Sequence, residues 1–596
     1  MAVAASAAPL SNAHDATLAA KLPQPLQHLA TTPATITYGQ KGATISLLCR
    51  ADSPYAVEIW ERSNHTANLI EYVLCATHLE EVALIVGLVQ RKSRFDVQCY
   101  VTAWLSISFD NVTNDCKRFE GLYTAYLNAL QEKYGEDAHL HVITKTAFYL
   151  HIIKPEAALF AEVISSQVMT ANNLQYPASA LGGVKAYFEQ TLNETLGNGD
   201  PIHLGISDGS TITVVPRAAN DMDCQTSGRK KQTRENTGGA SEPQAEVRAV
   251  KLHSLIDPVS GQEYCHYLGS GVSSELAVVK NFASPHLISV HDRAADSKEH
   301  RHAMLEANGN YLLRMKNNHV YEVLQATDGL TGEDLTKTLQ GKKLKEIPEM
   351  EQTFPLLDLN VAVPFAGSEQ MVIERVIMCL GLDANGKHQY QVLTTNLPPD
   401  LVPAVVAPEF YGLRWSIENE QFRNAKSTCA LSSINSGKDP LVKQSLCFAL
   451  ITLGCRRNIC AATQSQLYAA GSTDPAVQAF KADPEAAIRK IAAAVEDPDI
   501  TSVQLPPNIS LEKVCRSLDQ GIKKYFLAIV AGRGRTYLWK CRSKLIKRWL
   551  KSKCMHSDTC IKGRKLKRRK LFQVKMCVII ANLLDARQQG LIRPSS

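Results

Sequence analysis

The sequence lacks the features that mark membrane-spanning or exported proteins. Although 45% of its 596 residues are hydrophobic, no uninterrupted run reaches about 18 apolar residues, so no membrane span is expected. The alanine-rich N-terminus has neither an early basic region nor a continuous apolar segment, and we interpret it as a flexible leader rather than a signal peptide. The 16 cysteines show no paired spacing, which is typical of reduced thiols in a cytoplasm.

Acidic residues are scarce at the C-terminal end, where positive charge is concentrated. The stretch RGRTYLWKCRSKLIKRWLKSKCMHSDTCIKGRKLKRRK (533–570) carries more excess positive charge than the +7 of the whole chain, so the rest of the protein is net negative. Such a block attracts phosphate backbones by counterion release, and exposed rings within it can stack on bases. The alternative is a solvated tail, or a helix whose Leu545, Trp549 and Leu550 only pack against the protein.

The chain is too long for a single hydrophobic core, and changes in its residue pattern suggest several regions. Apolar residues recur at helical spacing from 75 to 200, alternate as in strands after 201, and become strand-like with turns from 320 to 400. The predicted regions are a flexible leader with a poorly defined N-terminal segment (1–74), a helical, DNA-binding domain (75–200), the first part of an α/β core (201–319), a β-rich insertion (320–400), the second part of the core (401–462), and a helical C-terminal region with a basic tail (463–596).

Two aspartates end or interrupt predicted strands. In PIHLGISDGSTITVVP (201–216), Asp208 shares strand parity with the apolar residues of one face. In ASPHLISVHDRAADSKEHRHAMLEANG (283–309), Asp292 comes at the end of an apolar strand that precedes a helix. Each aspartate also has a simpler interpretation, because Asp208 can form a turn with Gly209 and Asp292 can cap the following helix.

A third acid lies in the stretch YGLRWSIENEQFRNAK (411–426). At about 100° per residue, a helix over this stretch places Arg414 and Glu418 on the side that also carries Trp415 and Phe422. An ordinary surface helix would bury the two rings and turn its charges away from them. A carboxylate among buried rings is costly unless it is paired or binds a metal, and the simpler interpretation is an Arg414–Glu418 pair one turn apart.

Together, Asp208, Asp292 and Glu418 predict a metal site. Clustered carboxylates repel one another unless cations neutralise them, and sites rich in oxygen suit Mg²⁺ or Mn²⁺. Two such ions about 3.5–4 Å apart can activate an attacking oxygen and stabilise a leaving one in phosphodiester chemistry. The expected cofactor is therefore Mg²⁺, for which Mn²⁺ can substitute.

The order Asp208, Asp292, Glu418 resembles the DDE triad of transposases with a ribonuclease-H-like core. Details are similar to the bacterial insertion-sequence-four family, whose Tyr–Arg–Glu–Lys signature is matched by Tyr411, Arg414 and Glu418. Seven residues, rather than the typical six, separate Glu418 from Lys426, which would place Lys426 about 80° away from the glutamate on an α-helix.

Two shorter motifs extend this resemblance. HDRAAD (291–296) is similar to the second-aspartate motif of the family, and SDGS (207–210) resembles the first. The resemblance covers about residues 200–460 well and the 75–200 region loosely. It implies an α/β fold, namely a ribonuclease-H-like catalytic core with a mostly β insertion and helical flanking regions.

The resemblance implies a DNA transposase that performs cut-and-paste transposition of an insertion sequence by two-metal hydrolysis and strand transfer. One partner would be double-stranded DNA, both the terminal inverted repeats of the element and the target. The other would be a second copy of the chain, in a homodimeric synaptic complex. The expected location is a bacterial cytoplasm, at the nucleoid when the protein is bound to DNA. The alternatives are an inactive transposase-derived DNA-binding protein and a metal-dependent nuclease without strand transfer.

Further residues are expected to contact the DNA. Arg414 and Tyr411 would bind the phosphate beside the cleaved bond, and Lys426 is a weaker candidate for the same role. The secondary candidates are basic residues around the second aspartate and the following strand, for which the alternative is a solvated face: Arg293, Lys298, Arg314 and Lys316.

Overall fold

The computed structural model describes most of the chain from residue 35 onward. The described residues are 35–38, 43–50, 68–90, 94–110, 118–196, 202–214, 248–279, 283–316, 319–364, 371–382, 388–429, 431, 433–434, 436–497, 500, 502–510, 513–514, 520–552, 560–562 and 572–590. The polar stretch 217–246, which the sequence predicts to be a loop, lies outside them.

Two strands and a group of helices precede the core. The strands lie within the 1–74 region, and the helices cover most of 75–200. The elements are β1 (Thr35–Tyr38), β2 (Ala43–Arg50), α1 (Leu69–Val73), α2 (Ala76–Ile85), α3 (Val97–Phe109), α4 (Arg118–Tyr134), α5 (Ala138–His141), α6 (Lys145–Ile152), α7 (Pro155–Gln175), α8 (Ala178–Leu181) and α9 (Gly183–Leu196).

The core begins with the strands that the sequence predicts, and each has a local cause. The strand that directly precedes Asp292 is LISVH, which is buried along its whole length, as is usual for a parallel strand covered on both faces. The core elements are β3 (His203–Val214), β4 (Arg248–Ile256), β5 (Glu263–Ser270), α10 (Glu275–Val279), β6 (Leu287–His291), a 3₁₀ turn (Arg293–Ala295), α11 (Lys298–Glu306) and β7 (Asn310–Arg314).

The insertion is mostly β, and it has its own hydrophobic core. Its elements are β8 (Glu322–Asp328), α12 (Thr336–Leu339), a 3₁₀ turn (Leu344–Glu349), β9 (Leu356–Pro364), β10 (Met371–Leu382) and β11 (His388–Thr395). Most of the buried side chains of these strands form a cluster with residues of α11 and β7 that is distinct from the main core, whereas Leu356, Ile377 and Leu393 belong to the main core.

After the insertion the chain returns to the core and becomes helical. The elements are α13 (Ala407–Gly412), a π-helical turn (Ile417–Phe422), α14 (Arg423–Thr428), β12 (Ser433–Ile434), α15 (Asp439–Leu467), α16 (Pro475–Ala482), α17 (Pro484–Glu496), β13 (Ser502–Gln504), α18 (Gln520–Val530), α19 (Arg535–Lys551), β14 (Cys560–Lys562) and α20 (Phe572–Gln588).

Helix α15 is long and apolar enough to cross a membrane by length and composition alone. Its most apolar window is completely buried inside the protein, where it packs against α7, α3 and α19. Its apolar character therefore reflects a central position in the hydrophobic core.

One mixed sheet runs through the core and the insertion. Its strand order is β1-β2-β5-β4-β3-β6-β7-β11-β10-β9-β8, with β12 beside the end of β3. Strands β5, β4 and β3 are antiparallel, whereas β3, β6 and β7 are parallel. This arrangement is consistent with a ribonuclease-H-like transposase core, and the insertion continues the same sheet through an antiparallel β7–β11 pair.

Candidate active site

The sheet brings Asp208 and Asp292 together. Strands β3 and β6 pair in parallel up to Ile206 and Val290. Asp208 comes two residues later within β3, and Asp292 directly follows His291, the last residue of β6. Just before them, Ser207 Oγ and His291 Nδ1 form a buried 2.6 Å hydrogen bond between the strands. This contact holds β3 and the end of β6 side by side. Both carboxylates therefore lie at the carboxyl end of β6, just beyond the last residues that pair between β3 and β6.

Arg414 and Tyr411 bind these two carboxylates. One guanidinium nitrogen of Arg414 donates to Asp208 Oδ2 at 3.2 Å, and the other lies 3.7 Å from Asp292 Oδ2. The Tyr411 hydroxyl donates to Asp292 Oδ1 at 2.9 Å. The ion pairs of Arg414 with described residues are thus to the aspartates, whereas the simpler sequence interpretation pairs it with Glu418.

Neither simple interpretation of the aspartates accounts for their positions. Asp208 does accept a 2.8 Å hydrogen bond from the Gly209 amide, but both residues lie inside strand β3 rather than in a turn. The cap of helix α11 is Ser297, whose hydroxyl accepts from the His300 amide. The Asp292 carboxylate accepts from the adjacent Arg293 amide but does not cap the 3₁₀ turn that follows it.

The two aspartates titrate differently. Burial, followed by repulsion from Glu275, raises the pKa of Asp208 to about 6 despite the nearby Arg414. Burial also acts to raise the pKa of Asp292, but Arg414 and the hydrogen bonds from the Arg293 amide and Tyr411 outweigh it and hold that pKa below its usual value. The site therefore contains one acid that ionises readily and one that would gain from additional positive charge.

Sequence reasoning missed Glu275, at the start of α10. Its carboxylate forms a 2.7 Å ion pair with Lys251 on strand β4. Both side chains crowd Gly209, where a Cβ atom would approach Lys251 Cε to 2.5 Å and Glu275 Cγ to 3.2 Å. Glycine at 209 thus leaves room for this ion pair beside Asp208. The only sequence signal was the SDGS motif, which does not identify the partner.

The 411–426 stretch is not the single α-helix that the sequence predicts. Helix α13 ends at Gly412, and a π-helical turn covers Ile417–Phe422. Phe422 is buried as expected, but Trp415 is 52% exposed, and the Arg414 guanidinium lies 5.0 Å from its ring centroid. The interruption rotates Trp415 out of the apolar side, while Arg414 remains directed at the aspartates.

The π-helical turn explains the extra residue between Glu418 and Lys426. A π turn contains about one residue more than an α turn, and such turns are frequent at functional sites. It removes about 100° of rotation, so Lys426 comes within about 20° of Glu418 rather than 80° away. In agreement, burial lowers the pKa of Lys426 while the charge of Glu418 acts in the opposite direction.

Glu418 is exposed on the π-helical turn, which packs against β3, the strand that carries Asp208. In the described part of the chain, no three His, Cys, Asp or Glu side chains are grouped closely enough to hold a metal ion. The structure thus unites the two aspartates but does not draw Glu418 into one group with them. The donor chemistry nevertheless suits a hard divalent cation, because the paired carboxylates exceed the single positive charge of Arg414.

The secondary candidates separate into two pairs. Arg293 is exposed in the turn directly after Asp292, and the charge of Arg314 acts on both Asp292 and Tyr411. In contrast, Lys298 lies 5.8 Å from the ring centroid of Tyr321, and the amide and ammonium of Lys316 donate to Asp296. Arg293 and Arg314 therefore flank the aspartate pair, whereas Lys298 and Lys316 face the insertion.

A second charged cluster lies beside this site, and no motif in the sequence indicates it. Arg301 is fully buried and forms ion pairs with Asp296 at 2.5 Å and with Glu374 on β10 at 2.8 Å. His319 contacts the other oxygen of Asp296 at 2.6 Å. This cluster joins the end of the HDRAAD motif to the insertion.

The mixed α/β fold places two carboxylates from neighbouring strands beside an arginine and a tyrosine, an arrangement consistent with a DDE transposase domain. Residues 202–454 match the family model of the transposase DDE domain. The matched segment runs from the start of β3 into α15 and includes every proposed active-site residue. No curated protein matches the chain. The match supports a DDE transposase, an enzyme class that acts on DNA with divalent metal ions.

Proposed function

We propose that this protein cuts donor DNA at the ends of a mobile element and joins the freed 3′-hydroxyls to target DNA. The observation that carries the proposal is the convergence of Asp208, Asp292, Arg414 and Tyr411 within the segment that matches the transposase DDE domain. A simple DNA-binding protein would gain nothing from two carboxylates held together at the end of parallel strands, because they repel phosphate.

Asp208, Asp292 and Glu418 would hold Mg²⁺ or Mn²⁺. When bound, two such ions activate the attacking oxygen and stabilise the leaving one. The paired strands position the two aspartates before the substrate arrives, which lowers the cost of assembling the site. Glu418 would supply the third carboxylate from the π-helical turn that packs against β3.

The basic residues would bind and orient the DNA. Arg414 is suited to a two-pronged phosphate contact, and its position between the aspartates places its donors next to the reacting centre. The Tyr411 hydroxyl would donate a hydrogen bond to the same phosphate. Lys426, on the same side of the helix as Glu418, would bind the adjacent phosphate. Arg293 and Arg314 would extend this surface. Because two element ends must be cut and joined, the active assembly would be a homodimer on DNA.

The test is an assay with purified protein, Mg²⁺ and DNA that carries the inverted repeats flanking the gene. Excised ends and joined products are expected. Asp208→Asn, Asp292→Asn and Glu418→Gln should each lower cleavage by about 10³-fold or more, because each removes a metal ligand, while DNA binding persists. Glu306→Gln, an exposed acid at the end of α11, is the matched control and should cleave normally.

Each alternative has its own outcome in this assay. Cleavage without joined products would indicate a nuclease and refute strand transfer. Binding without cleavage by the unaltered protein would indicate an inactive DNA-binding descendant. Full cleavage by the Glu418→Gln protein would remove Glu418 from the proposed site while leaving the aspartates in place.

A further inference from the structure

Helix α19 (Arg535–Lys551) has two opposite faces. Its buried residues are Leu538, Leu545 and Trp549, which fall within about 40° of one another at 100° per residue. They pack against α18 and α15. Arg542 also anchors the helix to the preceding helices by donating a 2.7 Å hydrogen bond to the Tyr176 hydroxyl. The alternative that this basic helix only packs against the protein therefore holds for one of its faces.

The opposite face is a stripe of four exposed lysines. Lys540, Lys544, Lys547 and Lys551 follow one another at spacings that place them within about 60° of one line along the helix. None of them forms an ion pair with an acid among the residues that the structure describes. No acidic residue occurs between Arg533 and Lys551. The stripe is therefore a surface of uncompensated positive charge.

The length and surroundings of the lysine stripe fit a nucleic acid. From Lys540 to Lys551 the helix rises about 16 Å, which spans about five phosphates of one strand at about 3.4 Å each. Trp539, 64% exposed, and Tyr537, 41% exposed, flank the stripe on its two sides. Exposed aromatic rings beside basic side chains are a feature of nucleic-acid-binding surfaces.

A membrane is a poorer fit for this helix. Amphipathic helices that bind anionic bilayers insert an apolar face below the headgroups. Here the apolar face, formed by Leu538, Leu545 and Trp549, is already packed against the protein. Only the lysine-bearing side of α19 is exposed to solvent. It can therefore attract phosphate groups, but it has no apolar face to insert into a bilayer.

We propose that the lysine stripe of α19 binds the phosphate backbone of double-stranded DNA without reading its sequence. This inference rests on the proposed transposase function, for which DNA is the substrate, and it adds a second binding surface outside the segment that matches the transposase DDE domain. Because lysines contact phosphates as point charges, the surface would hold donor or target DNA of any sequence.

The experiment measures the affinity of the full-length protein for a duplex without inverted repeats as a function of salt. Log K falls as log salt rises, and each lost phosphate contact reduces the magnitude of this negative slope by about 0.9. The variant K540Q/K544Q/K547Q/K551Q should therefore reduce the slope by about 3 to 4, and the corresponding four-arginine variant should preserve it. The pair K544Q/K547Q should reduce it by about 2.

The matched control is K481Q/K490Q, which removes two exposed lysines from α16 and α17 and should leave the slope unchanged. Circular dichroism and the thermal midpoint verify that each variant is folded. An unchanged slope in the four-glutamine variant would refute the proposal, as would an equal loss in K481Q/K490Q. Lysine-dependent binding to phosphatidylserine vesicles with an unchanged DNA slope would identify a membrane surface instead.

The outcome separates this surface from the proposed function. Cleavage by the unaltered protein together with an unchanged slope would refute the lysine stripe alone. A reduced slope in a protein that never cleaves would refute the transposase proposal and leave the DNA-binding surface in place.

Discussion

Two aspartates of the HDRAAD motif, four positions apart, have opposite environments. The side chain of Asp292 is 34% exposed and shares Arg414 with Asp208. That of Asp296 is fully buried and is bound by Arg301, His319 and the Lys316 amide. Both lie beside an arginine that also contacts a second acid, yet one cluster is open to solvent and the other is closed.

The difference shows how the surroundings of a carboxylate decide its use. In the closed cluster, Arg301 forms ion pairs with both Asp296 and Glu374, and Arg301, His319 and the Lys316 amide occupy both oxygens of Asp296, so neither is left for a ligand. In the open cluster, one arginine faces two aspartates and Glu275 adds repulsion at Asp208. The closed cluster is therefore a structural link to the insertion, whereas the open cluster can exchange its arginine contacts for cations or phosphate.

The largest expected effect comes from removing the arginine of the closed cluster. Arg301→Leu leaves Asp296 and Glu374 buried without their charged partner, and loss of one member of a buried ion pair costs about 3–5 kcal/mol. Urea denaturation should show this loss. Arg414→Gln should cost less than Arg301→Leu, because the carboxylates that it leaves unpaired, Asp208 and Asp292, are 18% and 34% exposed and retain contact with water, yet it should greatly reduce cleavage.

Denaturation and cleavage, measured on the same two variants, determine whether this contrast is real. A stable Arg301→Leu protein would mean that the closed cluster contributes little to folding. An Arg414→Gln protein that is as unstable as Arg301→Leu would remove the distinction between the two arginines.

A smaller effect is expected on the pH dependence of cleavage. Asp208 must be ionised to bind a cation, and since burial and then Glu275 raise its pKa to about 6, cleavage should decline as the pH falls through about 6. Glu275→Gln removes the repulsion, lowers the pKa of Asp208 and should shift the decline to lower pH by about one unit or less. Cleavage rates from pH 5 to 8 measure the shift.

Glu306→Gln is again the control, because this exposed acid lies on α11 rather than beside Asp208. A decline that stays at the same pH in the Glu275→Gln protein would show that Glu275 does not influence Asp208. A shift to higher pH would contradict the sign of the proposed repulsion.

The smallest effect is expected at the edge of the closed cluster. His319 is partly exposed and contacts Asp296 at 2.6 Å, so His319→Ala removes one of several partners of that carboxylate and should cost about 1 kcal/mol. Urea denaturation of His319→Ala and Arg301→Leu, measured together, tests whether the loss of Arg301 lowers the free energy of unfolding more than the loss of His319. Equal losses would show that the cluster acts as one unit in which no member dominates.

Much of the core could be predicted from local patterns. The alternation around 201–216 and the apolar run before Asp292 correspond to β3 and β6, and the turn-rich 320–400 region contains the strands β8–β11. The prediction was wrong for 411–426, where a π-helical turn replaces a continuous α-helix and Trp415 is exposed. Periodicity assumes one rotation per residue, so it cannot reveal an inserted residue that changes the rotation.

In contrast to the strands and helices, the ion-pair partners of the charged residues could not be predicted from the sequence. Arg414 is one turn from Glu418 in sequence but contacts Asp208 and Asp292, and Glu275 lies beside Asp208 because Gly209 leaves space for it. Such contacts join residues up to about two hundred positions apart, and spacing along the chain contains no measure of them.

By itself, the sequence determined the class of the fold, the order of the acids and the basic character of the C-terminal helix, because these follow from side-chain periodicity and composition within short stretches. Only the tertiary structure decided which aspartate of the HDRAAD motif is open, which acid shares its arginine, and which side of α19 presents its lysines. Those properties depend on what packs against each residue, and packing is set by distant parts of the chain.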